Sequence, residues 1–118
     1  MANTFLLSNN YNVGSSLVEN DFIELSKKIQ KKAESKNCKI LLPIDAVCSK
    51  KIEDRVNVET YSINNIPNDQ MILDVGEQTT KLISDEILKS KSLLWNGPLG
   101  AFEYSPFDKS TISVANII

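Results

Sequence analysis

Histidine is absent from the 118 residues of this sequence. Its absence excludes Ser-His-Asp and Cys-His catalysis, histidine-ligated zinc and a histidine general base. Basic residues are not in excess either, because 13 Lys and Arg stand against 15 Asp and Glu and the formal net charge is −2. A chain with this charge lacks the positive field that attracts nucleic acid or an anionic membrane surface, and we expect neither partner.

Long apolar runs are missing as well. Runs such as Ile40–Leu42 and Leu93–Trp95 are only a few residues long, whereas a membrane-spanning helix needs about 20 apolar residues. The N-terminus lacks the basic start and the small-residue cleavage site of a signal peptide. The sequence therefore predicts a cytoplasmic location.

Only two cysteines occur, Cys38 and Cys48, and neither belongs to a CxxC pair or has a third metal ligand beside it. This spacing favours two free thiols over a disulfide or a metal-binding pair. Hydrophobic residues make up 42% of the chain and charged residues 24%. That composition is typical of a globular protein, and the length leaves room for one domain with a modest core.

Hydrophobic periodicity and turn residues predict alternating helices and strands. The predicted helices cover residues 1–9, 20–33, 77–90 and a stretch that begins at Ser105, and the predicted strands cover residues 39–44, 58–63, 71–75 and 92–95. Helices that alternate with short buried strands are typical of an α/β layer fold. We therefore predict an α/β domain with a mostly parallel sheet.

Two of these helices show an apolar face at helical spacing. The side chains predicted to face the core are Phe22, Leu25, Ser26, Ile29 and Ala33 in the second helix, and Phe107, Thr111, Val114, Ala115 and Ile118 in the last. The opposite side of the second helix carries Lys27, Lys28, Lys31 and Lys32. A solvated face is the expected role of these lysines, and a phosphate-binding patch is the alternative.

Two predicted strand ends carry residues suited to ligand binding, which in open α/β sheets occurs beyond the carboxyl ends of the strands. One end is Leu73–Glu77, and the other is the segment 95–103. In the latter, glycines on both sides of Pro98 let backbone N–H groups approach a ligand closely. The Asn96 amide can donate to a phosphate, and Glu103 can accept both hydroxyls of a ribose. A tight turn with a solvent-facing glutamate has the same pattern, so spacing alone leaves both interpretations open.

Residues 95–103, Trp-Asn-Gly-Pro-Leu-Gly-Ala-Phe-Glu, resemble the WNGPxGxFE motif of the phosphoglycerate kinase family. Four further segments resemble that family in the same order: Met1–Leu6 (GGxMANTFL, without its two glycines), Asn12–Leu17 (xVGxSL), Lys39–Asp45 (KILLPVD) and Met71–Gly76 (MGLDIG). The five segments cover nearly the whole chain, so the resemblance is specific.

The resemblance implies a fold and an activity. The family transfers phosphate between 1,3-bisphosphoglycerate and ADP, with magnesium, and gives 3-phosphoglycerate and ATP in glycolysis. It folds as two Rossmann-like domains, of which the C-terminal one holds the nucleotide. Residues 1–118 are therefore expected to form an incomplete nucleotide-binding domain, a partial Rossmann-like three-layer α/β unit with a mostly parallel sheet.

The resemblance also implies seven nucleotide-binding positions and no catalytic residue or metal ligand within the chain. They are Leu17, Leu73 and Ala101 at the adenine pocket, Asn96 near the nucleotide phosphates, Pro98 and Gly100 in the turn against base and sugar, and Glu103 at the ribose hydroxyls. Ile72 departs from the family pattern, which usually has glycine there. Its branched side chain is expected either to narrow the pocket or shift the base, or to be accommodated by an adjustment of the neighbouring backbone.

Several groups that the family uses for phosphoryl transfer have no counterpart in these residues. They are the phosphate-binding lysines, the Gly-Gly pair before the first helix, the glycine-rich GGGDS/T loop and the phosphoglycerate domain with its arginine. We therefore expect the chain alone to be inactive in phosphoryl transfer, although it retains residues for Mg-ADP or Mg-ATP. The alternative is a non-catalytic module that binds adenine nucleotide weakly or associates with itself through an exposed sheet edge. A separate chain that supplies the missing parts is a third possibility.

Overall fold

A computed structural model describes all 118 residues of the chain. Its helices are α1 (Ala2–Ser8), α2 (Ile23–Ser35), α3 (Glu77–Lys89) and α4 (Lys109–Ala115), its strands are β1 (Asp45–Ser49), β2 (Glu59–Ser62) and β3 (Met71–Val75), and short 3₁₀ helices cover Asn20–Phe22 and Ile63–Asn65. No helix combines the length and the apolar character that a membrane crossing requires.

The three strands form one antiparallel sheet in the order β2-β1-β3. The predicted α/β class is confirmed, but the predicted mostly parallel sheet is wrong. The reason lies in the connections, since β1 joins β2 through residues 50–58 only, and the whole stretch from β1 to β3, residues 50–70, contains no α-helix. A parallel pair needs a crossover of a dozen or more residues, usually helical. The β1–β2 connection is too short for a crossover, and the stretch between β1 and β3 holds β2 in place of a crossover helix.

Two predicted strands do not form. Residues 39–43 and 91–98 take part in no backbone–backbone hydrogen bond, so the apolar segments that were expected to be parallel strands have no ladder partner. The strand near the first of them begins at Asp45 instead, a residue that the sequence pattern indicated as a strand end. Leu94, in the second segment, is 93% exposed.

The main core lies between α1 and the sheet. Its buried side chains are Leu6, Val13, Ala46, Cys48, Ile63 and Ile66. Phe107 and Val114 are buried near α4, as predicted, but Ala115 and Ile118 are exposed. Since α4 ends at Ala115, Ile118 lies beyond the last turn and cannot share the inward face of the helix.

The inward face of α2 differs from the prediction. Of the side chains predicted to face the core, Phe22, Leu25 and Ile29 are 42–49% exposed, whereas Ser26 is buried as predicted. The polar neighbours of α2 explain this rotation, because the Gln30 amide donates to the Ser8 hydroxyl and accepts from the Asn9 amide at the end of α1. The helix thus turns small and polar side chains towards α1 and leaves its apolar flank exposed.

Candidate functional site

The site begins with an irregularity in β3. Val47 pairs with Asp74 and the next residue of β1, Cys48, pairs with Ile72, so Leu73 has no partner in β1. Leu73 is therefore the extra residue of a β-bulge, a feature that re-aims backbone and side chain and is frequent beside functional sites. Its side chain is 9% exposed.

The outer edge of β3 is first covered by the segment that carries Leu17. The backbone N–H of Ser15 donates to the Gln70 carbonyl at 2.9 Å. The buried Ser16 hydroxyl accepts the backbone N–H of Ile72 at 2.8 Å. These two bonds fix the chain directly before Leu17 against the start of β3. The Leu17 side chain itself is 87% exposed.

The same edge is then joined by residues 95–103, which we call the nucleotide loop. The backbone N–H of Ala101 donates to the Leu73 carbonyl at 2.8 Å, and Tyr104 donates to the Ala101 carbonyl at 3.0 Å. The structure thus brings Leu73 and Ala101 together directly and places the segment of Leu17 along the same strand edge. These three residues are the predicted adenine-pocket positions.

The remaining candidates lie in the loop before and after Ala101. Gly97 has a φ of +91° and open space where a β-carbon would stand, and the Trp95 indole N–H donates to its carbonyl. Asn96, Pro98 and Glu103 are exposed. Their side chains are therefore free to meet a ligand, while the backbone between them is held by the sheet.

Asp74 is a buried carboxylate beneath this loop, which the sequence reasoning placed at a strand end without assigning it a role. It is 2% exposed, and it accepts the backbone N–H of Val75 at 2.8 Å, the backbone N–H of Ser110 at 3.2 Å and the Ser110 hydroxyl. Burial raises the pKa of Asp74, although the hydrogen bonds from Ser110 oppose that shift. The sequence signal that could have indicated such a role is an aspartate inside an apolar strand, directly before Val-Gly.

A second buried carboxylate, Asp45, occupies the neighbouring strand. It accepts the backbone N–H groups of Gln78 at 3.0 Å and Thr79 at 2.8 Å, and the Thr79 hydroxyl at 2.5 Å. These are donors of the first turn of α3, so Asp45 acts as the cap of that helix. It was missed because sequence patterns reveal caps only when they directly precede their own helix.

Ile72, which departs from the family pattern, is half-buried. Its side chain packs against the main hydrophobic core cluster of Leu6, Val13 and their neighbours. The core therefore provides packing for the branched side chain, and its effect on a bound base stays a prediction.

Two cavities lie elsewhere. One, of about 490 Å³, is polar and lies along the loop after β1, where Lys50, Lys51 and Arg55 line it. The other, of about 1010 Å³, is a groove between α3 and α4 with Asp45 and Asp74 at its floor. Neither is lined by any of the seven candidate residues.

Comparison with known proteins gives a consistent result. The family model described as phosphoglycerate kinase matches residues 1–118. Among curated relatives, the phosphoglycerate kinase of Chelativorans sp. (strain BNC1) is 47% identical over 98% of this chain and 29% of its own length. That of Granulibacter bethesdensis is 45% identical over the whole chain and 30% of its own length.

Solved structures agree. A structure of phosphoglycerate kinase from Coxiella burnetii superimposes with a TM-score of 0.95 and 29% identity over 98% of this chain and 30% of that one. A structure of the enzyme from Pyrococcus horikoshii gives a TM-score of 0.78 at 19% identity, which shows likeness of fold. The chain spans about 30% of the length of the relatives it matches.

Proposed function

The chain belongs to the phosphoglycerate kinase family, and on that premise we propose that it supplies the adenosine-binding part of a phosphoglycerate kinase nucleotide site. The reaction of the whole protein would be phosphoryl transfer between 1,3-bisphosphoglycerate and ADP, a step of glycolysis in the cytoplasm. The observation that carries the proposal is the bond between the Ala101 N–H and the Leu73 carbonyl. It joins two predicted adenine contacts to the loop that ends in Glu103.

The adenine would lie against the outer edge of β3. Leu17 is exposed there and Ala101 is half-buried, so these two side chains offer the apolar surface, whereas Leu73 is buried and contributes the backbone carbonyl that holds the loop. Covering these side chains removes apolar area from water, which contributes about 25 cal/mol for each Å² buried. The base therefore gains affinity from contact with residues that are already held in place by backbone hydrogen bonds.

The sugar and the first phosphate would follow the exposed side of the loop. Gly97 keeps that side free of a β-carbon beside Pro98, so backbone can approach the ribose closely. The Glu103 carboxylate has two oxygens that accept hydrogen bonds from the two ribose hydroxyls. The Asn96 amide, at the other end of the loop, would donate to a phosphate oxygen.

Phosphoryl transfer needs more than these groups. It depends on positioning and on neutralisation of charge that develops on the phosphoryl oxygens. None of the seven proposed positions carries a cationic side chain, and no group of three or more His, Cys, Asp or Glu residues is arranged so that it could hold a metal ion. We therefore propose that this chain binds Mg-ADP or Mg-ATP through the adenosine part of the nucleotide. We assign no metal ligand within the chain, and we expect no turnover from these 118 residues alone.

Calorimetric titration with ADP tests the binding role. Glu103→Ala is expected to weaken binding by about 1.5–3 kcal/mol, the usual worth of hydrogen bonds to a charged group. Glu34→Ala, which removes an exposed glutamate of α2, is the matched control and should bind like the wild type. Absence of heat from the wild-type chain, or equal affinity in Glu103→Ala, would contradict the proposal. A coupled assay showing turnover by the purified chain would contradict the expected inactivity.

A second candidate role is self-association, favoured by the two apolar segments without backbone partners. Leu94 is 93% exposed, and Ile40, Leu41 and Leu93 are 37–46% exposed. Unpaired N–H and C=O groups beside apolar side chains are a template for pairing with a second copy. Sedimentation at rising concentration should then show dimers, which Leu94→Asp removes and Ile52→Asp, in the loop after β1, leaves intact. A chain that stays monomeric at every concentration would rule this role out.

A further inference from the structure

Three consecutive residues of the nucleotide loop are each held by a different group. The Leu99 N–H donates to the Thr111 hydroxyl at 3.1 Å, and the Ala101 N–H donates to the Leu73 carbonyl at 2.8 Å. Between them, the Gly100 carbonyl accepts the N–H of Phe102 within the loop, and the other side of Gly100 packs on a side chain and on the Phe107 carbonyl. The groups beneath Gly100 are therefore a third support of the loop above the sheet.

That side chain is Asp74. A β-carbon at Gly100 would lie 2.5 Å from Asp74 Oδ1 and 2.6 Å from the Phe107 carbonyl oxygen. The backbone of Gly100 is thus packed directly on the carboxylate, without room for one further atom. A shift of the carboxylate would displace the loop on which Ala101 and Glu103 stand.

Asp74 is itself tied to two elements. Its Oδ1 accepts the N–H of Val75 and its Oδ2 accepts the N–H of Ser110, the second residue of α4. No lysine or arginine pairs with it, since none of the ion pairs of the chain includes Asp74. The position of the carboxylate is therefore set by neutral donors on β3 and α4, and it couples those elements to the loop.

We propose that Asp74 is a positioning residue of the nucleotide site, which fixes residues 99–101 over the strand edge and thereby sets the place of Ala101 and Glu103. It touches no nucleotide in this role. That the loop binds a nucleotide rests on the proposed function, whereas the effect of Asp74 on the position of the loop does not depend on it.

Asp45 provides a matched control within the same sheet. It is 3% exposed, close to the 2% of Asp74, and it also accepts backbone N–H groups at the start of a helix. The glycine packed against it is Gly76, at the end of β3, and not a residue of the loop. A merely structural role of a buried carboxylate would affect both aspartates alike, whereas a positioning role is specific to Asp74.

Amide hydrogen exchange, followed by NMR, tests the positioning directly in wild type, Asp74→Asn and Asp45→Asn. In Asp74→Asn the amides of Leu99 and Ala101 should exchange at least tenfold faster, while those of Gln78 and Thr79 keep their rates. Asp45→Asn should show the reverse pattern. Unchanged rates at Leu99 and Ala101, or the same acceleration in both variants, would overturn the inference.

ADP and adenosine titrations of the same variants test the consequence for binding. Asp74→Asn should weaken both ligands by the same factor, at least fivefold, and Asp45→Asn should stay within twofold of wild type. An unchanged affinity in Asp74→Asn would overturn the inference. If the wild type does not bind ADP, the proposed function fails, and the exchange experiment alone decides the role of Asp74.

Ser110 keeps the test available if Asp74→Asn does not fold. Ser110→Ala removes the hydroxyl donor to Asp74 but leaves the backbone donor. It should accelerate exchange at Leu99 and Ala101 at least threefold, and Ser110→Thr, which keeps a hydroxyl, should restore the wild-type rates. Equal rates in Ser110→Ala and wild type would count against the proposal.

Discussion

The Leu73 carbonyl accepts the backbone N–H of Ala101 at 2.8 Å, at the one residue of β3 that has no partner in β1. The bulge therefore does more than interrupt the ladder. Its unpaired residue presents a backbone carbonyl at the edge where a distant loop arrives, and that carbonyl anchors the loop. This bond brings together two of the seven predicted residues, Leu73 and Ala101, although nearly 30 positions separate them in sequence.

Gly100→Ala tests the tight contact beneath the loop. The new β-carbon would meet Asp74 and the Phe107 carbonyl, and such overpacking typically costs about 1–3 kcal/mol. Urea unfolding should show this loss, and exchange of the Ser110 amide should accelerate because the carboxylate that it binds is displaced.

Gly97→Ala is the contrast within the same loop. A β-carbon there meets open space, and only the φ of +91° disfavours it, at about 1–2 kcal/mol. The Ser110 amide should keep its exchange rate. If Gly97→Ala accelerates that amide as much as Gly100→Ala does, the contact with Asp74 is not the cause.

Glu103 should distinguish ribose from deoxyribose. If its carboxylate accepts the ribose hydroxyls, the wild-type chain binds ADP more tightly than 2′-deoxy-ADP, by about 1.5–3 kcal/mol. In Glu103→Ala the two ligands should bind equally, since the acceptor is gone. Calorimetric titration of both ligands with both chains measures this coupling. An equal preference for ADP in wild type and variant would place the ribose elsewhere.

The cysteines should differ in reactivity. Cys38 is exposed and Cys48 is buried, and burial raises the pKa of the Cys48 thiol from 9.0 to about 11. Because the thiolate is the reactive form, one thiol per native chain should react with Ellman's reagent at pH 8, and two in urea. In Cys38→Ser no thiol should react in the native chain, and one should react in urea. Reaction of both native thiols at one rate would contradict this burial.

The raised pKa of Asp74 predicts a pH effect on stability. The folded chain holds the proton of this carboxyl at a pH where the unfolded chain, with an ordinary value of 3.8, has lost it. The free energy of unfolding therefore falls as pH rises through this interval, and it recovers as pH falls.

The comparison with Asp74→Asn isolates this effect, because the other carboxyls are shared. The stability of wild type relative to the variant should increase as pH is lowered from 7 towards 3.8 and should level off below it. Urea unfolding at several pH values measures the difference. A difference that stays constant, or that shrinks as pH is lowered, would contradict the direction of the pKa shift.

Local sequence patterns predicted the helices and strands whose signal lies within a single segment. Met71–Val75 and Glu77–Lys89 form nearly as expected, because strand and helix periodicity is written within each segment. Pairing is not local. Nothing in the residues 39–44 indicates whether a strand lies beside them, and the structure provides none.

The site shows the same division. Ala101 and Glu103 could be placed on a loop from glycines and turn residues, and the family motif supplied their roles. The contacts that hold that loop could not be predicted from the sequence. One requires a bulge at Leu73, and the other requires the Asp74 carboxylate, which accepts the N–H of Ser110, 36 positions away in α4. The caps made by Asp45 and Asp74 cross between elements, and cap signals in sequence cover only the neighbouring residues.

The bulge also separates two backbone roles of β3, the pairing with β1 and the hydrogen bond to the loop. The pairs that join β3 to β1 involve Ile72, Asp74 and their neighbours, and they would close into an unbroken ladder if Leu73 were removed. The sheet therefore does not require this residue, while the loop has no other backbone anchor on β3. Within five consecutive residues, the backbone groups that pair with β1 are therefore distinct from the carbonyl that holds the loop, and only the side chain of Asp74 links the two.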